Sequence, residues 1–233
     1  MVKEHPFLAT RPHPCNYLPG QQAVTLFADP RAGMSTAFYG QLAEHGFRRS
    51  GSDVYRPMCP ECQACVPVRI PVADMIHRRR ERRIWQRNAD LEIHLRPAEF
   101  RNEHYDLYGR YLAARHPGGG MDHPDPEGYL RFLRSPWCET RFVEFRLAGR
   151  LLAVAVTDLL PKGLSAVYTF YEPEAGQRSL GTFTILWQVE EARRRGLPWL
   201  FLGYWIEACD KMRYKGCFRP LQALEQGVWR DIP

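Results

Sequence analysis

At 233 residues, with 45% hydrophobic and 25% charged residues, the chain has ordinary globular composition and can bury a full core. Lys plus Arg exceed Asp plus Glu by 32 to 26, a net charge of +6 and a pI near 9.0, which favours an anionic partner, most often nucleic acid. No run approaches the roughly 18 apolar residues of a membrane span; the first residues, MVKEHPFLATRPHP, lack a signal peptide's apolar core, so a cytoplasmic, reducing setting is expected. Seven cysteines, an odd number, are then not read as a disulfide framework.

In chain order, Met34, Phe38 and Leu42 predict a helix over Met34 to His45, with Gly46 as its stop. FRRSGSDVYRP reads as two short strands around Gly51-Ser52, and VPVRIPV alternates like a third. Asp74 is placed as the cap of a helix running through an arginine block to about Asn88. LEIHLRP is a strand, and Pro97 the expected boundary between residues 1–97 and 98–233. Beyond it, Phe100 to Leu112 forms an amphipathic helix, HPGGGMDHPDPEG a Gly/Pro-rich loop, and Glu127 to Arg134 a shorter helix. Three antiparallel strands follow (TRFVEFRL, LLAVAVTDLL, LSAVYTFY), then a long helix Leu180–Arg195, the strand WLFLGYW and a last helix. That order predicts an α/β fold: a small, mixed Cys-containing N-terminal unit, then an N-acyltransferase-like (GNAT-type) α/β domain.

Four stretches carry chemistry. In MCPECQAC, Cys59, Cys62 and Cys65 recur at three-residue intervals, and Cys15 is the candidate fourth thiolate. Four thiolates suit zinc or an iron–sulfur cluster, and spacing alone does not separate the two; unliganded thiols are the plainer alternative. In HRRRERRIWQR, Arg78, Arg79, Arg80, Arg82, Arg83 and Arg87 cover much of a helix, a surface for RNA phosphates or simply a solvated face with Glu81 pairing locally. QRSLGT places Arg178 and Gly181 at a helix N-terminus, an anion cradle, although Phe183 stands where a CoA-binding motif has a small residue. CDKMRYKGCFRPL follows a central strand with Lys211, Arg213, Lys215 and Tyr214, where open α/β sheets place ligands.

Together, CNYLPGQQAVTLFADP, GFRRSGSDVYRPMCPECQACVPVRIPV, RRIWQRNADL, YGRYLAARHPGGGM, VYTFYEP, RSLGTFTILWQ and LGYWIEACDKMRYKGCFRPL resemble the aminoacyl-tRNA–protein transferases. The branch is that of the bacterial aspartate/glutamate leucyltransferases, relatives of the eukaryotic arginyltransferases. Glu172, where the family usually has Asp, and Trp199, in place of Tyr, are small departures. The resemblance implies transfer of leucine from leucyl-tRNA to the α-amine of proteins beginning with Asp or Glu. The product is marked for degradation and passed to an N-degron adaptor. No CoA is expected.

On this reading Lys211, Arg115, Arg178 and Tyr168 are the candidates for binding the acidic acceptor. Arg78, Arg79, Arg80, Arg82, Arg83 and Gly181 are those for tRNA, and His116 is the candidate proton acceptor. A CoA-dependent acetyltransferase and a non-catalytic metal and RNA-binding module are the alternatives. The incomplete motif at Gly181 argues against the first, and the acyltransferase-like second half against the other.

Overall fold

The structure, a computed structural model, describes residues 6–115 and 125–232. The first part holds strands β1 (Phe7–Ala9), β2 (His13–Pro14), β3 (Gln22–Ala23), β4 (Thr25–Ala28), β5 (Arg48–Ser50) and β6 (Asp53–Pro57), with helix α1 (Thr36–Glu44) between β4 and β5. The Ser35 side chain caps α1 by accepting from the Phe38 N–H, and Gly46 ends it at φ +81°, as the pattern predicted. β5 and β6 pair as the expected hairpin within a four-stranded sheet of order β1-β4-β6-β5; β2 and β3 pair separately.

The rest comprises β7 (Val66–Pro71), helix α2 (Arg79–Arg87), β8 (Glu92–Pro97), helices α3 (Asn102–Arg115) and α4 (Pro126–Leu133), and strands β9 (Thr140–Leu147), β10 (Arg150–Leu160) and β11 (Gly163–Tyr171). Helix α5 (Leu180–Arg194) and strands β12 (Trp199–Trp205), β13 (Gln222–Glu225) and β14 (Val228–Asp231) complete it. One eight-stranded sheet runs β14-β13-β7-β12-β11-β10-β9-β8. β9 to β11 are antiparallel, and α5 leads to β12, which pairs parallel to β11. The α/β layout expected from the element order is therefore present.

Three details correct the sequence expectations. β7 and β8 precede the boundary drawn at residue 97, yet both are strands of the large sheet, so that sheet draws on both parts of the chain. Asp74 does not cap α2, which starts at Arg79 with Arg78 as an N-cap making no side-chain hydrogen bond. The last expected helix is a 3-10 turn, Arg213–Cys217, followed by the β13–β14 hairpin.

β10 shows why the sheet is two-sided. Ala153 and Ala155 join the core under α5 and α2, whereas Val154 and Val156 join the core under α3 and α4. Alternate residues of a strand face opposite sides, so a strand buried on both faces reads as the continuous apolar run seen here. A third core, with Tyr39, Phe47 and Val54, packs the small sheet and α1 onto Leu160 and Phe201.

Candidate functional site

The site begins where β11 and β12 separate. They pair only at Gly163–Ser165 against Trp199–Phe201. Each then carries an extra residue: the β10–β11 register steps from Thr157–Ala166 to Val156–Tyr168, and the β12–β7 register from Phe201–Arg69 to Gly203–Val68. Bulges bend strands and break pairing, and here they open a cleft between two neighbours.

Arg48 of β5 reaches into this cleft, its Nη2 donating to the Val167 carbonyl at 3.1 Å. Its Nη1 lies 3.2 Å from the point a Cβ on Gly203 would occupy, and Gly203 sits at φ +73°. Gly203 is thus required twice, by its left-handed backbone and by the approach of the guanidinium. The phenols of Tyr55, Tyr17, Tyr204 and Tyr39 surround Arg48; burial works against its charge, and these neighbours favour it and raise its pKa.

One residue along β12, the Tyr204 carbonyl accepts from Lys215 Nζ at 2.9 Å. Lys215 is 7% exposed, and Met212 Sδ is its other neighbour at 3.9 Å. Burial first, then the Arg48 charge, push the Lys215 ammonium well below the usual lysine range, with Cys209 opposing. The Tyr204 hydroxyl lies 3.1 Å from the carbonyls of Gly46 and Tyr55, which fixes this part of β12 to the small sheet.

The opposite wall is aromatic. Tyr111 of α3 packs edge-on against Tyr168 and Tyr171, with centroids 6.2 and 5.0 Å away. The β11 bulge lies before Tyr168, so Tyr168 and Phe170 share the core under α3 while Tyr171 turns toward the α5 side, as alternation predicts. The Tyr168 hydroxyl is buried with no hydrogen-bond partner among the described residues. Arg115 Nη2 donates to the Tyr171 hydroxyl at 2.9 Å, and a Cβ on Gly181 would stand 3.2 Å from the Tyr171 ring. Arg115, Tyr168 and Gly181, three of the residues singled out in the sequence, therefore meet around Tyr171 and Tyr111.

Other expected site residues lie elsewhere. Lys211 is exposed, four positions before the buried Lys215. Arg178 is held by Asp90 through bonds of 2.8 and 2.9 Å and also donates to the Arg87 carbonyl, so it ties the start of α5 to the end of α2. That pairing occupies the charge proposed for an anion. His116 lies outside the described residues. Arg78, Arg79, Arg80, Arg82 and Arg83 are exposed and make no ion pair among the described residues. Glu81, expected to pair with them, is buried instead at 7% exposure. Beside α2 a groove of about 570 Å³ is lined by His77, Trp85, Ile93, Trp187, Glu190 and Arg194.

The four cysteines are all partly buried free thiols. Cys15 Sγ accepts from the Tyr17 and Leu18 N–H groups at 3.4 and 3.5 Å. Burial, then Cys15, Cys59 and Cys62 nearby, push the Cys65 thiol up to about 12. Thus the four sulfurs gather round Cys65, but among the described residues no group of three is arranged to hold a metal ion. Thiolate donors suit zinc or an iron–sulfur cluster, but the arrangement of the described residues does not close into a ligand set.

Sequence reasoning missed Arg48. Its only signal was the pair Arg48-Arg49 in a short strand, where alternation must send one arginine to each face.

The geometry is thus an α/β fold with a cleft at a parallel strand pair, lined by cations and phenols, and with a basic helix alongside. Residues 13–83 match the family model "Arginine-tRNA-protein transferase, N terminus" and residues 103–225 that of its C terminus, and the chain belongs to this family. Among curated relatives, the aspartate/glutamate leucyltransferase of Nitrosococcus oceani is 53% identical, covering 96% of this chain and 94% of its own. That of Pseudomonas putida strain W619 is 54% identical, covering 96% and 95%. Solved structures with some likeness are a DUF2156 domain from Agrobacterium fabrum (TM-score 0.47, 13% identity, 62% of this chain and 47% of that one) and L-PGS from Bacillus licheniformis (0.46, 13%, 60% and 45%).

Proposed function

We infer that this protein transfers leucine from leucyl-tRNA to the α-amine of proteins whose first residue is Asp or Glu. The likeness along nearly its whole length to aspartate/glutamate leucyltransferases carries the reading. In the reaction the amine nitrogen attacks the leucyl ester carbonyl, the C–N bond forms, the ester C–O bond breaks, and the proton leaves with the ribose hydroxyl. The donor is already activated, and a peptide α-amine of pKa about 7.7–8 is roughly a tenth neutral at pH 7. Positioning and oxyanion stabilisation then supply most of the acceleration. His116 is the candidate proton acceptor.

Arg115 and Tyr168 are assigned to the acceptor and Gly181 to the 3′ end of the tRNA, an assignment supported by their meeting around Tyr171 and Tyr111. The exposed arginines of α2 are assigned to the tRNA backbone. No described helix is long and apolar enough to cross a membrane. The likeness to the leucyltransferases is what supports a cytoplasmic enzyme whose product goes to an N-degron adaptor. Incubation with radiolabelled leucyl-tRNA and peptides beginning Asp, Glu or Ala tests the function. Label is expected on the first two only; no label on any peptide overturns it.

A further inference from the structure

Two cations, Arg48 and Lys215, stand at the cleft between β11 and β12, and among the described residues neither forms an ion pair with a carboxylate. Arg48 has one protein acceptor among the described residues, the Val167 carbonyl. Lys215 Nζ has a carbonyl and a thioether. The nearby Asp210 is turned outward, 86% exposed, and pairs with Arg213. Glu172 is occupied by Arg110 and Arg150. Arg48 is half-buried and Lys215 buried; withdrawing cations from water without a counter-charge is costly, and more so for two near enough that one charge disfavours the other. A fold keeps such a pair where an anion arrives to complete it. The surroundings suit a small one: the Tyr168 hydroxyl has an unused donor, and phenols rather than open solvent line the walls.

We propose that Arg48 and Lys215 together bind the side-chain carboxylate of the acceptor's first residue, and so select Asp and Glu. This deepens the transfer reaction proposed above and rests on it. A carboxylate between a guanidinium and an ammonium accepts charge-assisted hydrogen bonds from both. An Asn or Gln side chain, nearly isosteric, brings no compensating charge and leaves both cations unpaired. The α-amine is then separated from the anchored carboxylate by two carbons in Asp and three in Glu, which limits its distance from the leucyl ester. Gly203 serves the same site by admitting Arg48.

The test compares transfer to peptides beginning Asp, Glu, Asn and Gln by the wild-type chain, Arg48→Met and Lys215→Met, with leucyl-tRNA affinity measured alongside. Truncating one partner of a buried charge pair corresponds to a loss of roughly 30-fold or more. Each variant is expected to lower kcat/KM for Asp and Glu peptides by that factor, collapse the Asp:Asn ratio and keep its leucyl-tRNA affinity. An unchanged Asp:Asn ratio in folded variants overturns the proposal, and loss of tRNA affinity with that ratio intact assigns the pair to RNA instead. Should both variants fail to fold, carbodiimide coupling of an Asp-starting peptide to the wild-type chain decides. The chain has four lysines, Lys3, Lys162, Lys211 and Lys215, and the amide bond is expected at Lys215. A peptide found only on another lysine, or on none, overturns it. A wild-type chain that leucylates no Asp or Glu peptide overturns the underlying function rather than the assignment of these two residues.

Discussion

Arg49 Nε lies 2.5 Å from Asp158 Oδ2, and its Nη2 lies 2.6 Å from Oδ1, with both side chains fully buried. The guanidinium also donates to the carbonyls of Gly51 and Leu133, while Thr140 Oγ1 donates to Asp158. This pair bolts β5 of the small sheet to β10 of the large one. The preceding residue, Arg48, points the other way into the cleft, so the position of the clamp sets the position of the site.

Removing one partner of a buried ion pair strands the other, at a cost of about 3–5 kcal/mol. Arg49→Met and Asp158→Leu are each expected to lower the melting temperature by roughly 10 °C, at about 2–4 °C per kcal/mol for a chain of this size. The double variant should recover much of that loss because no buried charge remains. Thermal melts of the three variants check this; strictly additive losses would show that the two residues act independently.

Arg178 illustrates how a motif misleads. It sits where acyltransferases hold a phosphate, yet Asp90 engages it in a two-pronged pair. If the role is to hold α5 against α2, Asp90→Asn and Arg178→Gln should have similar small effects, and the double variant no larger one. For a partly exposed pair the expected stability change is up to about 1 kcal/mol. Steady-state kinetics with varied leucyl-tRNA separates the roles. A KM increase in Arg178→Gln that Asp90→Asn does not share would return Arg178 to the substrate.

The local elements were legible because local rules determine them. The cap at Ser35, the stop at Gly46 and the run from Leu180 to Arg194 each follow from residues within a few turns. The place of β7 was not, because its partners β12 and β13 lie far along the chain and alternation says nothing about which strand is the neighbour. In sequence Lys211 was the candidate for the acceptor, and Lys215 only one of the cations near it. They lie in a loop and 3-10 turn where no regular period assigns a face, and only the packing against Tyr204 separates them. Gly203 gave no signal that it admits a side chain from another sheet. The cleft was therefore legible as a neighbourhood, and its two central cations were not.

The buried Glu144 carboxylate accepts from His104 Nε2 at 2.8 Å and from Arg146 Nε at 2.9 Å. Burial alone would raise its pKa, but these donors together hold it at about 2. His104 is lowered, chiefly by burial, which outweighs Glu144. A neutral His104 donating through Nε2 leaves Nδ1 as an unpartnered lone pair, in accord with its buried, unbonded state. Both folded pKa values lie below the unfolded ones, so the unfolded chain binds more protons and stability falls with falling pH. The His104 contribution is lost as pH drops below about 6.5, and that of Glu144 from about 4.5 toward 2. Urea melts between pH 7 and 3 should show this loss, and His104→Gln should flatten its upper part. A wild-type profile with no fall below pH 6.5 would contradict the assignment.

The exposed arginines of α2 make the last prediction. Glu81 faces inward and cannot offset Arg79, Arg80, Arg82 or Arg83, so the helix presents uncompensated positive charge. Positive side chains that neutralise phosphates release counterions, which makes affinity fall linearly with the logarithm of salt concentration. Each lost contact reduces that slope by about 1 and weakens binding without regard to sequence. Arg79→Gln combined with Arg83→Gln is therefore expected to weaken leucyl-tRNA binding and flatten its salt dependence by about 2. The Asp:Asn acceptor ratio should stay as in the wild type, because these residues lie on α2, away from the β11–β12 cleft. Filter binding between 50 and 300 mM salt measures the slope. If the slope is unchanged while the variant remains folded, the arginine face is merely solvated and the tRNA backbone lies elsewhere.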